Sequence, residues 1–383
     1  MDARGTLRRV VRSARGGGAA AGRGVLDRLS AALGARTDAP PATEPGSIFV
    51  LRNNDIGDVL VVTPLFEALR RRFADARIVA GVGDWAADVL RHNPFIDEVL
   101  PTNAPWFNKY SGGGGTVRRL QYVFGSPEAA EIQRRKFDLG IDVLGSSWGS
   151  LLLASAGIPR RIGVGGYAGG ERAATATVAF NPHEHVTRTS LRLAELLGAT
   201  ELPPPRPQLH LTPAELAQAE AWWRSRGNAG TRRVVVGPGG GLPARCWPAS
   251  RYAQLLALLA RMPGELVLIG GPAESALISE LSRAVPSASY FDEPLPLRPT
   301  FALVATADLV ICNSSMLMHA AAAFSKQTLV LLGEAFDSTS RHDEQWGYPA
   351  TCRTVGKEVP VRVSLAAPAE AFALSQVTSG ATK

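Results

Sequence analysis

The stretch RNNDIGDVLVVTPLFEALRRRF, residues 52–73, decides the fold class of this chain. The apolar run SIFVLR leads into it and predicts a short buried strand, and the apolar spacing that follows predicts one long amphipathic helix over residues 57–73. Two asparagines and a Gly-Asp pair lie between the strand and the helix. Because the positive end of a helix dipole stabilises an anion, Asp58 is either a helix cap or a base held ionised and ready.

The same alternation of strand and helix continues along the chain. ARIVAGVG precedes the helical pattern DWAADVLRHN, and after the proline-rich segment at residues 201–213 the runs RRVVVGPGG, ELVLIGG, ADLVICN and QTLVLLG restart it. Such alternation predicts βαβ units and mainly parallel sheets, and the proline-rich segment is typical of a linker. The sequence therefore predicts an α/β protein of two doubly wound domains, residues 46–205 and 206–383, facing a central cleft.

Composition limits the classes of function. The 383 residues include 41 Lys and Arg against 34 Asp and Glu, and the formal charge of +7 favours anionic partners such as nucleotides, phosphorylated glycans or lipid headgroups. The sequence predicts neither a membrane span nor a secretory signal. Three scattered cysteines, Cys246, Cys312 and Cys352, indicate a reducing compartment. We therefore expect a cytoplasmic protein.

Both ends of the chain differ in composition from the alternating region. Residues 1–45 are rich in Arg, Gly and Ala, which predicts a basic, mostly disordered arm. This arm is either a solvated tail or a weak tether to the inner membrane face. A last apolar helix is expected at about residues 363–376, where it crosses back to the first domain. Nucleic-acid binding is not expected, because the basic residues are dispersed and the aromatic residues do not cluster.

Four polar or glycine-rich segments follow predicted strands. The first contains a candidate catalytic base, and the second contains a candidate phosphate-binding loop. The carboxyl ends of strands in a doubly wound sheet are where ligands bind. Residues 53–58 contain the Gly-Asp pair, and residues 237–248, GPGGGLPARCWP, contain a glycine-rich loop. Backbone N–H groups of such a loop suit a phosphate, and Arg245 adds a charged fork. The glycines are alternatively tight turns, and the missing Gly-Lys-Ser/Thr ending excludes a P-loop.

The other two segments precede helices in the second half of the chain. CNSSMLMHAAAAF, residues 312–324, offers polar side chains that bind an anion at a helix start or act as a plain cap. His319, one turn into that helix, is either structural or catalytic. In IGGPAE, residues 269–274, Glu274 either binds ribose hydroxyls or favours the helix dipole. We predict no metal site, because the pair of histidines flanking Glu184 lacks a third ligand at a suitable spacing.

In this order the four segments resemble glycosyltransferase family 9, the ADP-heptose:lipopolysaccharide heptosyltransferases. The resemblance covers most of residues 47–335, and its most specific parts are R-x-x-x-I-G-D-V-L-x-x-T-P-L, W-P before a helix, I-G-G-P-A-E and N-x-S-x-x-M-H-x-A-A-A. It implies a GT-B fold of two Rossmann-like domains, the first for the acceptor and the second for the nucleotide sugar. It also implies an inverting single displacement, without metal or other cofactor, from ADP-heptose to a glycan or glycolipid.

The resemblance also assigns roles to single residues. Asp58 takes the position of the proposed general base, and Arg52 and Asn54 lie on the acceptor side. Arg245, where the family usually has lysine, takes the position of a donor-phosphate contact. The remaining predicted donor contacts are, for the phosphates, Gly239, Gly240, Gly241, Asn313, Ser314, Ser315 and His319 and, for the nucleoside, Gly271 and Glu274.

The chain departs from the family pattern at one helix start. Where the family usually reads N-D-S/T-G-P-M-H, residues 313–319 read N-S-S-M-L-M-H. Ser314 replaces an acidic residue, and Met316 replaces a glycine that permits close backbone approach to the diphosphate. Two alternatives therefore stand beside heptosyl transfer. One is a GT-B enzyme with another nucleotide-sugar donor, and the other is a degenerate, non-catalytic relative that binds a glycan or a partner.

Overall fold

The structure, a computed structural model, describes residues 44–226, 231–291 and 293–356 together with residues 30 and 32. The predicted basic arm lies almost wholly outside the described residues, and the helix predicted at about 363–376 lies outside them entirely. The chain divides into two compact units, of which the first ends at Pro205 and the second begins at Arg206. Among the helices of the described ranges, none is both long enough and apolar enough to cross a membrane.

The first unit is a six-stranded sheet with helices between its strands. Its strands are β1 (Ser47–Leu51), β2 (Arg77–Val82), β3 (Glu98–Pro101), β4 (Leu139–Asp142), β5 (Arg160–Gly165) and β6 (Ala176–Ala179). Its α-helices are α1 (Ile56–Leu60), α2 (Thr63–Arg72), α3 (Thr116–Gly125), α4 (Pro127–Arg135), α5 (Ser147–Ser155) and α6 (Val186–Leu196). In β1 every residue after Ser47 is buried, as expected for a strand that is covered on both faces.

The helix predicted over residues 57–73 is two helices. α1 ends at Leu60 and α2 begins at Thr63. Pro64 has no N–H to donate to the carbonyl of Leu60, and the Thr63 hydroxyl donates to that carbonyl instead, at 2.7 Å. The prediction was wrong because the proline interrupts the ladder without interrupting the apolar pattern. The break leaves α1 as a short helix that carries Asp58.

The helix predicted from DWAADVLRHN is a 3₁₀ helix, Asp84–Val89. Its chain leaves helical geometry soon afterwards, since His92 adopts a left-handed conformation with φ of 62°. A second 3₁₀ helix of this unit covers Gly170–Arg172. These short turns close the connections after β2 and β5.

The second unit repeats the plan of the first. Its strands are β7 (Arg233–Gly237), β8 (Glu265–Leu268), β9 (Ser289–Tyr290), β10 (Leu309–Asn313), β11 (Gln327–Leu331) and β12 (Cys352–Val355). Its α-helices are α7 (Pro213–Arg224), α8 (Ala249–Leu259), α9 (Ser275–Ala284), α10 (Leu297–Thr306), α11 (Met316–Ala323) and α12 (Thr339–Trp346). Two 3₁₀ helices, Pro243–Arg245 and Pro272–Glu274, follow β7 and β8.

The two sheets have the same topology. The strand order is β3-β2-β1-β4-β5-β6 in the first and β12-β11-β10-β7-β8-β9 in the second, and the pairings are parallel. In each sheet the order reverses between the first and fourth strands of the unit, β1 and β4 or β7 and β10. Ligands of doubly wound sheets bind at such a switch point, outside the carboxyl ends of the strands. The topology therefore marks one candidate position in each unit.

Close packing fixes these strand ends. In the first unit Phe49 belongs to a buried cluster with Trp106 and Trp148, and in the second Val236 packs in a cluster with Ile311. Since protein interiors are as dense as organic crystals, the residues that follow such strands have little freedom to shift. Side chains on both carboxyl edges are therefore held by a rigid support.

Candidate functional site

Asp58 lies at the switch point of the first unit, in the first turn of α1. One of its carboxylate oxygens, Oδ1, lies 2.9 Å from Nη2 of Arg52. The other, Oδ2, accepts a hydrogen bond from the backbone N–H of Asp55 at 3.2 Å. Asp55 is the N-cap residue, and the two aspartates form a reciprocal capping box. The Asp58 side chain is therefore both a helix cap and an oriented carboxylate, and it remains 30% exposed.

Arg52 is a buried residue that binds both the side chain and the backbone of Asp58. Its side chain is only 8% exposed, and besides the ion pair its Nε donates to the backbone carbonyl of Asp58 at 3.2 Å. A guanidinium that binds one residue twice holds the carboxylate in a single orientation. Arg52 was predicted on the acceptor side of the site. The structure gives it a supporting role, because the exposed group of this pair is Asp58.

A second carboxylate, Asp142, lies buried at the end of β4. Strand pairing sets it beside Leu51, the residue before Arg52. Its Oδ2 accepts a hydrogen bond from Ser146 N at 2.7 Å, and a Cβ atom on Gly149 would lie 2.4 Å from that oxygen. Burial raises the pKa of Asp142 to about 6, against the opposing effects of Ser146 and the Arg52 charge. Sequence reasoning missed Asp142, because it reads as part of an apolar strand.

The asparagines after β1 hold a loop over this edge. Asn54 Nδ2 donates to the carbonyl of Phe107 at 2.9 Å, and Asn53 Nδ2 donates to that of Trp106 at 3.2 Å. Both asparagines are only 4% exposed. Asn54 was predicted on the acceptor side of the site, and the structure shows its amide buried against the loop. What Asn54 positions is the loop itself.

The loop between β3 and α3 forms an aromatic surface together with Trp85 of the 3₁₀ helix Asp84–Val89. Sequence reasoning did not connect this surface with Asp58. The rings of Trp85 and Tyr110 stack with centroids 5.0 Å apart and planes 15° apart. The Trp85 indole N–H donates to the carbonyl of Asn54 at 2.9 Å, which ties the stack to the strand end. Tyr110 and Phe107 are 40% and 49% exposed. A flat aromatic surface beside a half-exposed carboxylate suits the apolar face of a sugar.

In the second unit the glycine-rich loop follows β7 at the switch point. Gly239 lies against Glu274, since a Cβ atom on Gly239 would lie 2.2 Å from Cγ of that side chain. Any other residue here would displace either the loop or Glu274. Gly240 and Gly241, also predicted to bind phosphate, continue the loop, and Gly241 is exposed. The structure thus brings two predicted segments, the glycine loop and the 269–274 segment, together.

Asn313 holds the glycine-rich loop and is 0% exposed. Its Nδ2 donates to the carbonyls of Pro238 and Gly239 at 2.6 and 2.9 Å. Its Oδ1 accepts hydrogen bonds from Trp247 N and the Tyr252 hydroxyl at 2.9 and 3.0 Å. An asparagine amide has two donor hydrogens and two acceptor lone pairs, so this amide is saturated. The Asn313 amide therefore positions the loop, and a phosphate contact of this residue stays a prediction.

Arg245 presents its side chain to solvent from the 3₁₀ helix after the loop. Backbone hydrogen bonds from Gly333 N to Arg245 O, 3.2 Å, and from Ala335 N to Ala244 O, 2.8 Å, fix the turn. Within the described ranges the Arg245 guanidinium makes no hydrogen bond or ion pair with another residue. A charged group held on a fixed turn and exposed in this way is suited to an anionic ligand.

The start of α11 brings the predicted serines to the same edge. Ser315 is the N-cap residue, and its side chain makes no capping hydrogen bond. Ser314 and Met316 are half-buried on either side of it. His319 is 5% exposed, and its Nδ1 lies 2.7 Å from the Tyr348 hydroxyl. His319 is thus part of a buried polar pair, and its contact with the donor stays a prediction.

The predicted nucleoside segment borders a cavity. A space of about 190 Å³ opens at the carboxyl ends of β8 and β9. Its lining includes Gly271, Ser275, Tyr290 and Glu293. Glu274 accepts a hydrogen bond from Gly271 N at 2.8 Å, so its carboxylate caps the 3₁₀ turn. The roles of Gly271 and Glu274 toward a nucleoside stay predictions. Across the described ranges, His, Cys, Asp and Glu side chains form no group of three or more suited to a metal ion.

Comparison with known proteins adds a family and a set of relatives. The family described as "Glycosyltransferase family 9 (heptosyltransferase)" matches residues 129–343. The chain is 23% identical over 294 residues to lipooligosaccharide heptosyltransferase 2 of Haemophilus ducreyi, covering 73% of this chain and 80% of that protein.

Two solved structures have a similar fold. The glycosyl transferase family 9 structure from Veillonella parvula superposes with a TM-score of 0.67 and 20% identity, covering 81% of this chain and 86% of that one. The E. coli ADP-heptose LPS heptosyltransferase II superposes with a TM-score of 0.63 and 20% identity, covering 81% and 90%. At this level of identity the likeness concerns the fold, and it confirms the predicted GT-B fold.

Proposed function

The chain belongs to glycosyltransferase family 9, and from this premise we propose that it transfers a heptose from ADP-heptose to a hydroxyl group of a glycan or glycolipid. As a member of the family the protein is a glycosyltransferase. The family description and the name of the H. ducreyi relative support heptose as the sugar, and the E. coli protein of similar fold is named for ADP-heptose. We propose lipopolysaccharide synthesis as the setting, with inversion at the anomeric carbon and no metal.

One observation carries the mechanism: Asp58 is a half-exposed carboxylate whose orientation is fixed by Arg52 and by the backbone of Asp55. We assign it as the general base. As the acceptor oxygen forms its bond to the anomeric carbon, the hydroxyl proton passes to the Asp58 carboxylate. The bond from the anomeric carbon to the diphosphate oxygen breaks on the opposite face, and ADP leaves. This single displacement inverts the configuration.

Fixed donors of the second unit support the departing diphosphate. The first N–H groups of α8 and α11 have no partner within their own helices, and helix dipoles favour an anion at both helix starts. Arg245 adds an exposed guanidinium on a fixed turn. Preorganised donors of this kind stabilise developing charge without reorganising, which is why no metal is required in the proposed mechanism.

The acceptor contacts are proposed for the first unit. The exposed rings of Tyr110 and Phe107 lie on the loop that Asn54 anchors, and α1, which carries Asp58, begins two residues after Asn54. Aromatic faces pack against the apolar faces of sugar rings. The basic arm over residues 1–45 would add a peripheral contact with an anionic membrane surface, where a glycolipid acceptor is located.

The test is a transfer assay with purified protein, ADP-heptose and a glycolipid that lacks heptose. We expect ADP release that depends on the acceptor, a product heavier by one heptose in mass spectrometry, and an inverted anomeric configuration by NMR. The reaction should continue in excess EDTA. A parallel thermal-shift screen compares ADP-, UDP-, GDP- and dTDP-sugars. Stabilisation by a sugar of another nucleotide alone would contradict ADP-heptose as the donor. Absence of both transfer and binding would contradict the proposed transferase activity.

A further inference from the structure

Ser314 begins a chain of hydrogen bonds within the second unit. Its Oγ lies 2.8 Å from Nε2 of His342, on α12. Nδ1 of the same imidazole lies 2.9 Å from Oδ1 of Asp343. The Thr354 hydroxyl, on β12, donates to that oxygen as well. A hydroxyl, an imidazole and a carboxylate therefore lie in series, and the hydroxyl lies at the switch point.

The direction of these hydrogen bonds follows from the carboxylate. A carboxylate accepts hydrogen bonds and cannot donate, so the His342 Nδ1 carries a proton. In a neutral ring Nε2 then accepts from Ser314, and the serine proton is directed at the imidazole. In the imidazolium Nε2–H donates to Ser314, and the serine proton is released to point elsewhere. The charge of His342 thus decides whether Ser314 has a hydrogen to offer a ligand.

The imidazole of His342 is buried, and its polar contacts are with Ser314 and Asp343. The residue is 3% exposed, and the ring of Phe336 meets it edge to face with centroids 5.3 Å apart. Arg353 alternates with Thr354 along β12 and so points to the opposite face from the carboxylate. The other charged residues of α12 and of the loop before it are exposed, and these are Glu334, Asp337, Arg341 and Glu344. Asp343 is therefore the charged group that meets the imidazole.

The position of Ser314 indicates an anionic ligand and argues against a nucleophile. It follows Asn313, whose amide holds the carbonyl of Gly239, so the serine and the glycine-rich loop are fixed together. The nucleophilic serine of α/β-hydrolases lies on a sharply strained turn. Ser314 is not among the non-glycine residues of positive φ in the described part of the chain. An unstrained hydroxyl at a helix start suits an anion's oxygen.

We propose that Ser314, His342 and Asp343 form a proton-linked relay that binds the diphosphate of the donor and of the released nucleotide. The proposal rests on the proposed function. An anion at Ser314 favours the imidazolium, because that state frees the serine proton for the phosphate oxygen and places a positive charge behind it. Ser314 can therefore donate a hydrogen bond to the phosphate, whereas the acidic residue that the family usually has at this position could only accept one. Binding should take up a proton, and affinity should fall as pH rises.

The experiment is calorimetric titration of the whole chain with ADP and, separately, with inorganic pyrophosphate. Each titration is repeated in two buffers of different ionisation enthalpy. We expect a net uptake of protons near neutral pH, and about 10-fold weaker binding for Ser314→Ala, as for the loss of a charge-assisted hydrogen bond. His342→Gln keeps a donor for Ser314 and should bind within a few fold of wild type, but without the proton uptake that His342 supplies.

The matched control is His183→Gln, since His183 is an exposed histidine of the first unit. It should leave both affinity and proton uptake unchanged. Proton uptake that persists in His342→Gln, or unchanged affinity in Ser314→Ala, would overturn the relay while leaving heptosyl transfer intact. Binding of pyrophosphate with proton uptake but no binding of ADP would support the relay and reject ADP-heptose as donor. If the wild type binds neither probe, both proposals fail.

Discussion

The carboxyl edges of the two sheets share a topology and differ in chemistry. At the edge of the first unit the charged groups are paired with one another, as Arg52 with Asp58. At the edge of the second unit the guanidinium of Arg245 is exposed, and the groups around it are glycine backbone, hydroxyls and helix starts. The first arrangement holds a carboxylate in one orientation, as the proposed general base requires. The second leaves donors available for an anion.

The difference shows how one fold supports two tasks. In both units a buried asparagine at the carboxyl end of a switch-point strand holds its neighbours, Asn53 two residues beyond β1 in the first and Asn313 as the last residue of β10 in the second. What varies is the exposed group that each support presents. The scaffold therefore supplies position, and the loop residues supply chemistry. Each prediction below changes one residue of one edge and measures the transfer rate, the nucleotide affinity or the stability that should depend on it.

The largest effect is expected for Asp58→Asn. An amide cannot accept the hydroxyl proton, so the rate of transfer should fall by about 10²–10⁴-fold. Nucleotide affinity should stay within about 2-fold, because the second unit is unchanged. Steady-state kinetics and calorimetry measure the two quantities. Asp97→Asn is the matched control, since Asp97 also pairs with an arginine, Arg70, at 2.6 Å. Near-normal turnover in Asp58→Asn would remove Asp58 from the mechanism.

Arg245→Ala tests the other edge. Loss of a charge-assisted contact costs about 1.5–3 kcal/mol, so affinity for ADP should fall by 10-fold or more. Arg261→Ala is the control, because Arg261 is an exposed arginine just beyond the far end of α8. It should bind ADP as the wild type does. Equal affinities of Arg245→Ala and wild type in a titration would show that the turn is only structural.

Asp142→Asn tests the buried charge of the first edge through the pH dependence of stability. The folded pKa of Asp142, about 6, lies above its ordinary value of 3.8, so the folded state binds the proton more tightly. As pH falls from 7 to 4, the wild type should gain stability relative to Asp142→Asn, by about 2 kcal/mol. Urea melts across this range give the difference.

The control for that comparison is Asp138→Asn, just before the opposite end of β4. Asp138 is exposed and accepts hydrogen bonds from Ser47. The wild type should not gain stability relative to Asp138→Asn on acidification in the way expected relative to Asp142→Asn. A flat difference curve for Asp142→Asn between pH 7 and 4 would contradict the buried charge.

The smallest effect is expected for Met316→Gly, at the first position of α11. Removing the side chain makes room beside the helix start, so ADP affinity should hold or rise slightly. Glycine costs about 1 kcal/mol of helix propensity, so the melting temperature should drop. Met316→Ala separates the two effects, because alanine gives the room and favours the helix. Weaker ADP binding in both variants would mean that the methionine itself contacts the ligand.

Much of the fold was readable from local patterns. Apolar runs separated by helical spacing predicted parallel sheets, because a strand covered on both faces must be apolar throughout. The break between α1 and α2 was missed, since Pro64 changes a hydrogen bond and leaves the apolar pattern unchanged. The order of the motifs, rather than any single one, indicated family 9, and the match over residues 129–343 confirms it.

Some residues of the candidate site could be named from the sequence, and others could not. The residues at strand ends, Asp58 and Arg245, could be named from the sequence, because parallel strands carry their loops to one edge. The groups that fold in beside these edges could not be named. Asp142 comes 91 positions after Leu51, the residue it lies beside in the sheet, and His342 comes 28 positions after Ser314, so only the fold brings each pair together.

By itself the sequence determined the class of fold, the family and the strand ends that carry polar groups, since these depend on order and local spacing. Only the tertiary structure decided which of those groups face outward. Asn313 and Asn54 have the right chemistry for a ligand, yet the fold uses their amides to hold loops. A buried amide must be satisfied by neighbours that are distant in the chain, and which neighbours arrive is settled only when the sheet and its loops pack together.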